Sequence, residues 1–318
     1  MKDKKIQLLR GIAIIAVVAI HTIRGGDISV VIRPFINFAV AMFIFLSGYL
    51  TNIEQKTINI FNKKRIFRVI VPYIIWSIIY TVAYSDYQKF FIKILTGTSC
   101  GIYYYILVYI QLVLITPFVV KLVQSKYKKV AFLITPVFML MYYIVIIIFK
   151  REIPFPLNAN NFIIWFIYYY LGIYLRNNQL VIKNINGIKI LLIMSLILQI
   201  DEGIFWNKLG YYGMAITQLK FTSMISNILV LILTFSWLNN GKEVKERCWK
   251  NYLIEIGGMS FGIYLSHILI LGILNKFIFC WKNIFFPLNT IIVIFINCIC
   301  IMIGRKILGN KSKFLGLF

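Results

Sequence analysis

The chain has 318 residues, 60% of them hydrophobic and only 14% charged, with a mean hydropathy of +0.83. A soluble domain carries about 25% charged residues, so these proportions exclude a soluble protein and describe a polytopic membrane protein. The net charge of +24 first suggests nucleic acid, but the basic residues follow the loops between apolar segments, which is a topology signal and not a nucleic-acid one.

Ten apolar segments read as spans, at 7–25, 32–51, 67–84, 102–119, 130–149, 161–176, 188–200, 219–238, 257–275 and 285–304. The first has no small-residue cleavage site after it and carries Arg10 and His21, so it is kept as a span and not read as a signal peptide. The seventh is short for a bilayer and must extend or tilt. Residues 85–101 and 201–218 are semi-polar and are expected to lie along or re-enter the outer surface. With the N-terminus inside, 23 of the 34 Lys and Arg fall on the cytoplasmic side. Ten fall outside, Arg24, Arg33, Lys89, Lys93, Lys150, Arg151, Lys208, Lys220, Lys276 and Lys282, and Arg10 lies within the first span. That bias places both termini in the cytoplasm and makes anionic lipid the expected partner of the loops. The expected fold class is an all-α, polytopic helix bundle of about ten transmembrane helices. It forms a single domain over 1–318 without a separate soluble domain, in the plasma membrane. Richness in Ile, Lys and Asn suggests a bacterial, AT-rich genome. The five cysteines show no metal spacing and no metal is expected; Cys100 and Cys280 both fall outside, where they could pair.

The first span reads Leu8-Leu9-Arg10-Gly11-Ile12-Ala13-Ile14-Ile15-Ala16-Val17-Val18-Ala19-Ile20-His21. Eleven residues at 100° each come to about 20° past three turns, so Arg10 and His21 share a helix face, roughly 16 Å apart along the axis. An ionisable side chain inside a span is costly and marks function by default, and an imidazole there suits a proton acceptor. A histidine hydrogen-bonded between helices for packing fits the residue equally well.

The chain has one other histidine, His267, closing the small-residue stretch Gly257-Gly258-Met259-Ser260-Phe261-Gly262-Ile263-Tyr264-Leu265-Ser266-His267. Small residues let helices approach closely, so this helix reads mainly as a packing element, with contact between His267 and substrate as the alternative. Arg65 and Arg68 are three apart at the start of the third span. Topogenic charge explains Lys63 and Lys64; two forked donors at the same membrane face as Arg10 suit a polyphosphate better. Carboxylates number ten, of which Asp27, Asp86, Glu152, Asp201 and Glu202 fall outside. A histidine base is usually oriented by a carboxylate, and Asp27, Asp201 and Glu202 lie at the right depth. The outer aromatics Tyr103, Tyr104, Tyr105, Trp165, Trp206, Tyr211 and Tyr212 fit an interfacial belt, with Trp165 the preferred platform for a sugar.

Four stretches resemble the membrane-bound acyltransferase 3 family. Arg10-Gly11-Ile12-Ala13 running to His21 matches its Arg-x10-His signature. Phe43-Ile44-Phe45-Leu46-Ser47-Gly48-Tyr49 is similar to its second-helix ending. Arg65-x-x-Arg68 followed by Pro72-Tyr73 resembles its Arg-x-x-Arg element, and Gly257 through His267 its late Ser-x-x-Ile-Tyr-Leu-x-His stretch. The chain departs from the pattern at Tyr104-Tyr105-Ile106-Leu107, where many members read His-Leu-Trp-Phe. It also lacks the esterase-like domain of longer members.

The resemblance implies a single-domain acyltransferase that moves acetyl or another short acyl group from cytoplasmic acyl-CoA to a carbohydrate hydroxyl. The acceptor would be capsule, exopolysaccharide, teichoic polymer or a lipid-linked glycan. It implies His21 as the catalytic residue, as general base or acyl carrier, and Arg10, Arg65 and Arg68 as ligands of acetyl-CoA. The rival class is an exporter of polysaccharide or lipid-linked sugar. An exporter needs a continuous polar route, and the spans hold few charges.

Overall fold

The computed structural model describes all residues except 1, 2, 52–54, 152, 179, 242, 245, 246, 279, 280, 282 and 283, and describes only the backbone of 55–61. Glu152, Lys282 and the pairing of Cys100 with Cys280 therefore lie outside the described residues. Among those described, the regular structure is helical, with no strand. In chain order the helices are α1 (Lys4–Thr22), α2 (Asp27–Ile32), α3 (Phe38–Tyr49), α4 (Gln55–Ala83) and α5 (Phe90–Thr96). There follow α6 (Tyr104–Leu114), α7 (Thr116–Gln124), α8 (Ile134–Phe149), α9 (Phe162–Asn178) and α10 (Ile185–Lys208). The last four are α11 (Tyr212–Ile216), α12 (Phe221–Leu238), α13 (Cys248–Phe277) and α14 (Leu288–Leu308).

Among the described residues, seven stretches are long and apolar enough to cross a membrane, and α6 with α7, bent by 56° at the break between them, makes an eighth. The protein is a multi-pass membrane protein. The remaining two expected spans are also helical. α9 is 17 residues long, and α10, at 24 residues, extends the expected 188–200 at both ends. The semi-polar segments hold the short α5, the end of α10 and the short α11. Polarity along α10 is inverted relative to a soluble protein: Ile190, Leu191, Ile193, Met194, Ile197 and Leu198 are exposed while Ser195 and Gln199 are buried. Hydrocarbon makes that arrangement favourable, because lipid accepts the apolar side chains and leaves the polar ones to find partners inside.

The chain divides into two compact units, one of residues 1–29, 67–95 and 242–318, the other of 30–66 and 96–241. In the first, α1 starts on Asp3, whose carboxylate accepts from the backbone N–H of Lys5 at 2.8 Å and of Ile6 at 3.4 Å, satisfying two of the helix's orphan donors. α1 lies against α13 at backbone contact. A Cβ on Gly11 would overlap the carbonyl oxygen of Leu253, and one on Gly257 would overlap that of Gln7. The two glycines therefore set the approach of the helices, as small residues do where no hydrophobic effect operates between spans. α14 packs on both.

In the second unit α3 and α9 pair in the same way through Gly48 and Gly172. α10 and α12 are joined by buried polar groups: the Gln199 amide donates to Ser223 Oγ at 2.5 Å and accepts from Ser226 Oγ at 2.8 Å. Such bonds do for polar residues in lipid what packing does for the glycines.

Candidate active site

His21 lies in the last turn of α1, and Arg10 is eleven residues earlier on the same helix, as the spacing predicts. The turn carrying His21 is pinned to α14. Thr22 Oγ1 shares a hydrogen bond of 2.6 Å with Thr290 Oγ1 and bonds back to the carbonyl of Val18 at 3.1 Å. Asn289 Nδ2 donates to the carbonyl of Thr22 at 2.8 Å, while Asn289 Oδ1 accepts from the N–H of Thr290. The next residues are held as well: Arg24 donates to the carbonyl of Trp281 at 2.9 Å and Ser29 to that of Arg24 at 2.7 Å. His21 is exposed, and the chain on its C-terminal side is fixed by hydrogen bonds to α14.

The ring of His21 stands 5.3 Å from that of His267, centroid to centroid, at an interplanar angle of 48°. The two histidines of the chain, 246 residues apart in sequence, are thus neighbours. His267 is completely buried. Its Nδ1 lies 2.9 Å from the carbonyl oxygens of both Ile263 and Tyr264. Carbonyls only accept, so Nδ1 carries the hydrogen and Nε2 is the acceptor nitrogen of the neutral ring. Nε2 has no hydrogen-bond partner among the described residues. Two contacts tie the helix around it to its neighbours. Ser266 Oγ donates to Asn297 on α14 at 2.6 Å. The Tyr80 hydroxyl, from α4, donates to the carbonyl of Leu265 at 3.1 Å and accepts from the N–H of Leu269 at 3.0 Å, inserting where one turn of the helix would bond to the next.

Of the expected donor-site arginines, Arg10 and Arg68 belong to the first unit and Arg65 to the second. Arg68 is exposed and makes no hydrogen bond among the described residues; its guanidinium lies 4.8 Å from the centroid of the Phe318 ring, a cation–π contact. Arg65 is half-buried and engaged. Nε donates to Tyr109 Oη at 3.2 Å, one terminal nitrogen to Thr51 Oγ1 at 3.0 Å, and the other to the Ser47 carbonyl at 3.2 Å and to the Ser47 hydroxyl. Its fork ties the end of α3 to α6.

The remaining candidates fall apart by unit. Asp27, exposed at the start of α2, is in the first; Trp165, Asp201 and Glu202 are in the second. Asp201 is exposed. The Glu202 carboxylate accepts from the Tyr143 hydroxyl, the Thr222 hydroxyl, the Thr222 N–H at 3.3 Å and the Trp206 indole N–H at 3.3 Å, so its lone pairs are spent inside the unit. Trp165 is 1% exposed and its indole N–H donates to the carbonyl of Ala159 at 3.0 Å. Tyr104, where the chain departs from the family pattern, covers the indole at 5.9 Å and takes a 2.6 Å hydrogen bond from Gln218. Trp165 thus packs against protein.

A family model described as an acyltransferase domain matches residues 3–305. The chain belongs to the acyltransferase 3 family. Relatives named "Probable poly-beta-1,6-N-acetyl-D-glucosamine export protein" in Staphylococcus aureus strains MRSA252, Mu50 and MSSA476 are 26% identical over 301 residues, covering 86% of this chain and 80% of theirs. No solved structure matches. For this acyltransferase 3 member, sequence reasoning missed Tyr80, Asn289 and Thr290 around the histidines, and Ser47, Thr51 and Tyr109 around Arg65. None carries a local signal. They are ordinary hydroxyl and amide residues of apolar helices, given meaning only by what packs against them.

Proposed function

We propose that the protein is a membrane O-acyltransferase that moves acetyl or another short acyl group from acyl-CoA to a hydroxyl of a cell-surface or lipid-linked carbohydrate. The observation that carries this is the exposed His21 ring at the end of α1, beside a second, buried imidazole, in a chain of the acyltransferase 3 family. In the reaction we infer, His21 takes the proton of the acceptor hydroxyl. The hydroxyl oxygen then bonds to the acyl carbon while the carbon–sulfur bond breaks, and His21 returns the proton to the departing thiolate. In the other route open to a histidine, its ring is acylated first and passes the group on.

Arg10, Arg65 and Arg68 are assigned to the phosphates of the donor. Arg68, exposed and without hydrogen bonds among the described residues, has the fork available for bidentate binding. Arg65 contributes charge and holds the end of α3 by its bonds to Ser47, Thr51 and Tyr109. Arg68→Ala is expected to raise KM for acetyl-CoA about tenfold with little change in kcat, since a charge-assisted hydrogen bond contributes roughly 1.5–3 kcal/mol.

Export of a glycan is the second reading, favoured by the printed name of the Staphylococcus aureus relatives. Purified protein in vesicles, given acetyl-CoA and surface glycan, separates the two. Ester formed on the glycan supports transfer; glycan moved across the vesicle wall without ester formation supports export.

A further inference from the structure

Buried polar groups in native proteins almost always have partners, and each exception asks for an explanation. His267 presents one. Its Nδ1 is satisfied by two carbonyls of its own helix, and its burial is complete, yet Nε2 keeps an unpartnered lone pair. A histidine retained for packing alone would leave that acceptor desolvated at a cost an apolar side chain of similar size would avoid.

Two rings contact that of His267: His21 at 5.3 Å and Tyr264 at 6.3 Å, centroid to centroid. Two imidazoles joined by an in-line N–H···N bond of roughly 3 Å hold their centroids about 5 Å apart; the rings here stand 5.3 Å apart without that bond, close enough to form it by turning. The two rings differ in exposure. His267 is locked on α13 by its own backbone, by Ser266 on Asn297 and by the Tyr80 hydroxyl inserted into the helix. His21 is exposed at a helix end.

Resting on the acyltransferase reading, we propose that His267 is the positioning residue of His21: its Nε2 accepts a ring N–H of His21, which fixes the His21 tautomer and leaves the other nitrogen as the base. The orienting group of a catalytic histidine is commonly a carboxylate; here a neutral imidazole of fixed tautomer does that work. A neutral acceptor suits a site inside a span, because it brings no second charge into a low-dielectric surrounding.

The test uses the fact that the chain has two histidines, so ¹⁵N-histidine labelling of the full-length protein in lipid bilayers gives two rings to read by solid-state NMR. In wild type His267 should show a protonated Nδ1 and an unprotonated Nε2, and His21 a single tautomer. His267→Leu should turn His21 into a mixture of tautomers, and Asp27→Asn should not. In transfer assays His267→Leu should lower kcat about 10- to 100-fold with KM for acetyl-CoA unchanged. His267→Gln, whose side-chain carbonyl restores an acceptor, should recover to within a few fold of wild type. The proposal is overturned if His21 keeps one tautomer in folded His267→Leu, if Asp27→Asn is the variant that changes it, or if Gln rescues no better than Leu. A rise in acceptor KM at constant kcat would overturn it too, making His267 a substrate contact. The NMR arm stands without any transfer activity, so a wild type that transfers nothing counts against the acyltransferase reading and leaves the histidine pair to be judged on its own.

Discussion

Two buried polar clusters, one in each unit, are built from similar residues and end in opposite states. Around Glu202 in the second unit, Tyr143, Thr222 and Trp206 supply four donors to one carboxylate, and nothing is left over. Beside it Lys220, fully buried, spends its ammonium on the carbonyls of Ala215 at 2.7 Å and Gln199 at 3.2 Å. Around His267 in the first unit the accounting stops one short: Nε2 is left with a lone pair. In a low-dielectric interior a saturated network rigidifies, while an unsaturated one carries a standing cost. The difference is that the histidine cluster pairs an unpartnered acceptor with an exposed ring, which the Glu202 cluster does not.

That contrast can be broken from either side. The largest expected effect is on the frame of the histidine pair. Gly257→Leu would drive a side chain into the carbonyl of Gln7, a backbone atom no rotamer change can move. A cost of about 3 kcal/mol or more is expected, read as loss of folded protein in detergent thermal-melt assays. If Gly257→Leu is as stable as wild type, the close approach of α1 and α13 is wrong.

Next comes Arg65→Lys. A lysine keeps the charge and loses the fork, so it cannot serve Tyr109, Thr51 and Ser47 together. The expected cost is about 2 kcal/mol of stability, with a rise in KM for acetyl-CoA no greater than that of Arg68→Ala. Equal stability in Arg65→Lys and wild type would show that charge alone matters there.

Thr222→Val removes one of the four donors to Glu202 at nearly constant volume. It should cost about 1–2 kcal/mol and leave transfer per folded molecule unchanged. A rate that falls while the melting temperature holds would place the Glu202 cluster in the chemistry and dissolve the contrast. The smallest effect is expected from Thr22→Val, which loses the bond to Thr290 but keeps the carbonyl contact with Asn289. It loosens the turn that carries His21, and a drop in kcat of about threefold with unchanged donor KM is expected, corresponding to roughly 0.7 kcal/mol.

Much of this was legible in the chain itself. The apolar segments gave the helices, and the Arg10–His21 interval gave their common face, because both follow from local periodicity. The interval between His21 and His267 carries no such information. That they meet depends on α1 lying against α13 at backbone distance through Gly11 and Gly257, and only the second glycine stood in a stretch that advertised packing. Trp165 and Glu202 are hard to read in the sequence for the same reason. An aromatic or a carboxylate near a span end is the same letter whether it faces a ligand or, as here, Ala159 and Tyr143. The span at 188–200 came out short because Asp201 and Glu202 interrupt the apolar run, while the helix continues through them to Lys208. Partners on other helices satisfy Glu202 there, which hydropathy cannot foresee.

In the proposed reaction His21 carries the transfer, and radiolabelled acetyl-CoA puts that role to the test. Membranes holding equal amounts of wild-type or His21→Ala protein would be incubated with the donor and the host's surface glycans, and label on the glycan counted. Clear incorporation is expected with wild type and a loss of about 10²–10⁴-fold in His21→Ala, with the variant still folded in the membrane. Label transferred by His21→Ala at the wild-type rate would contradict that role.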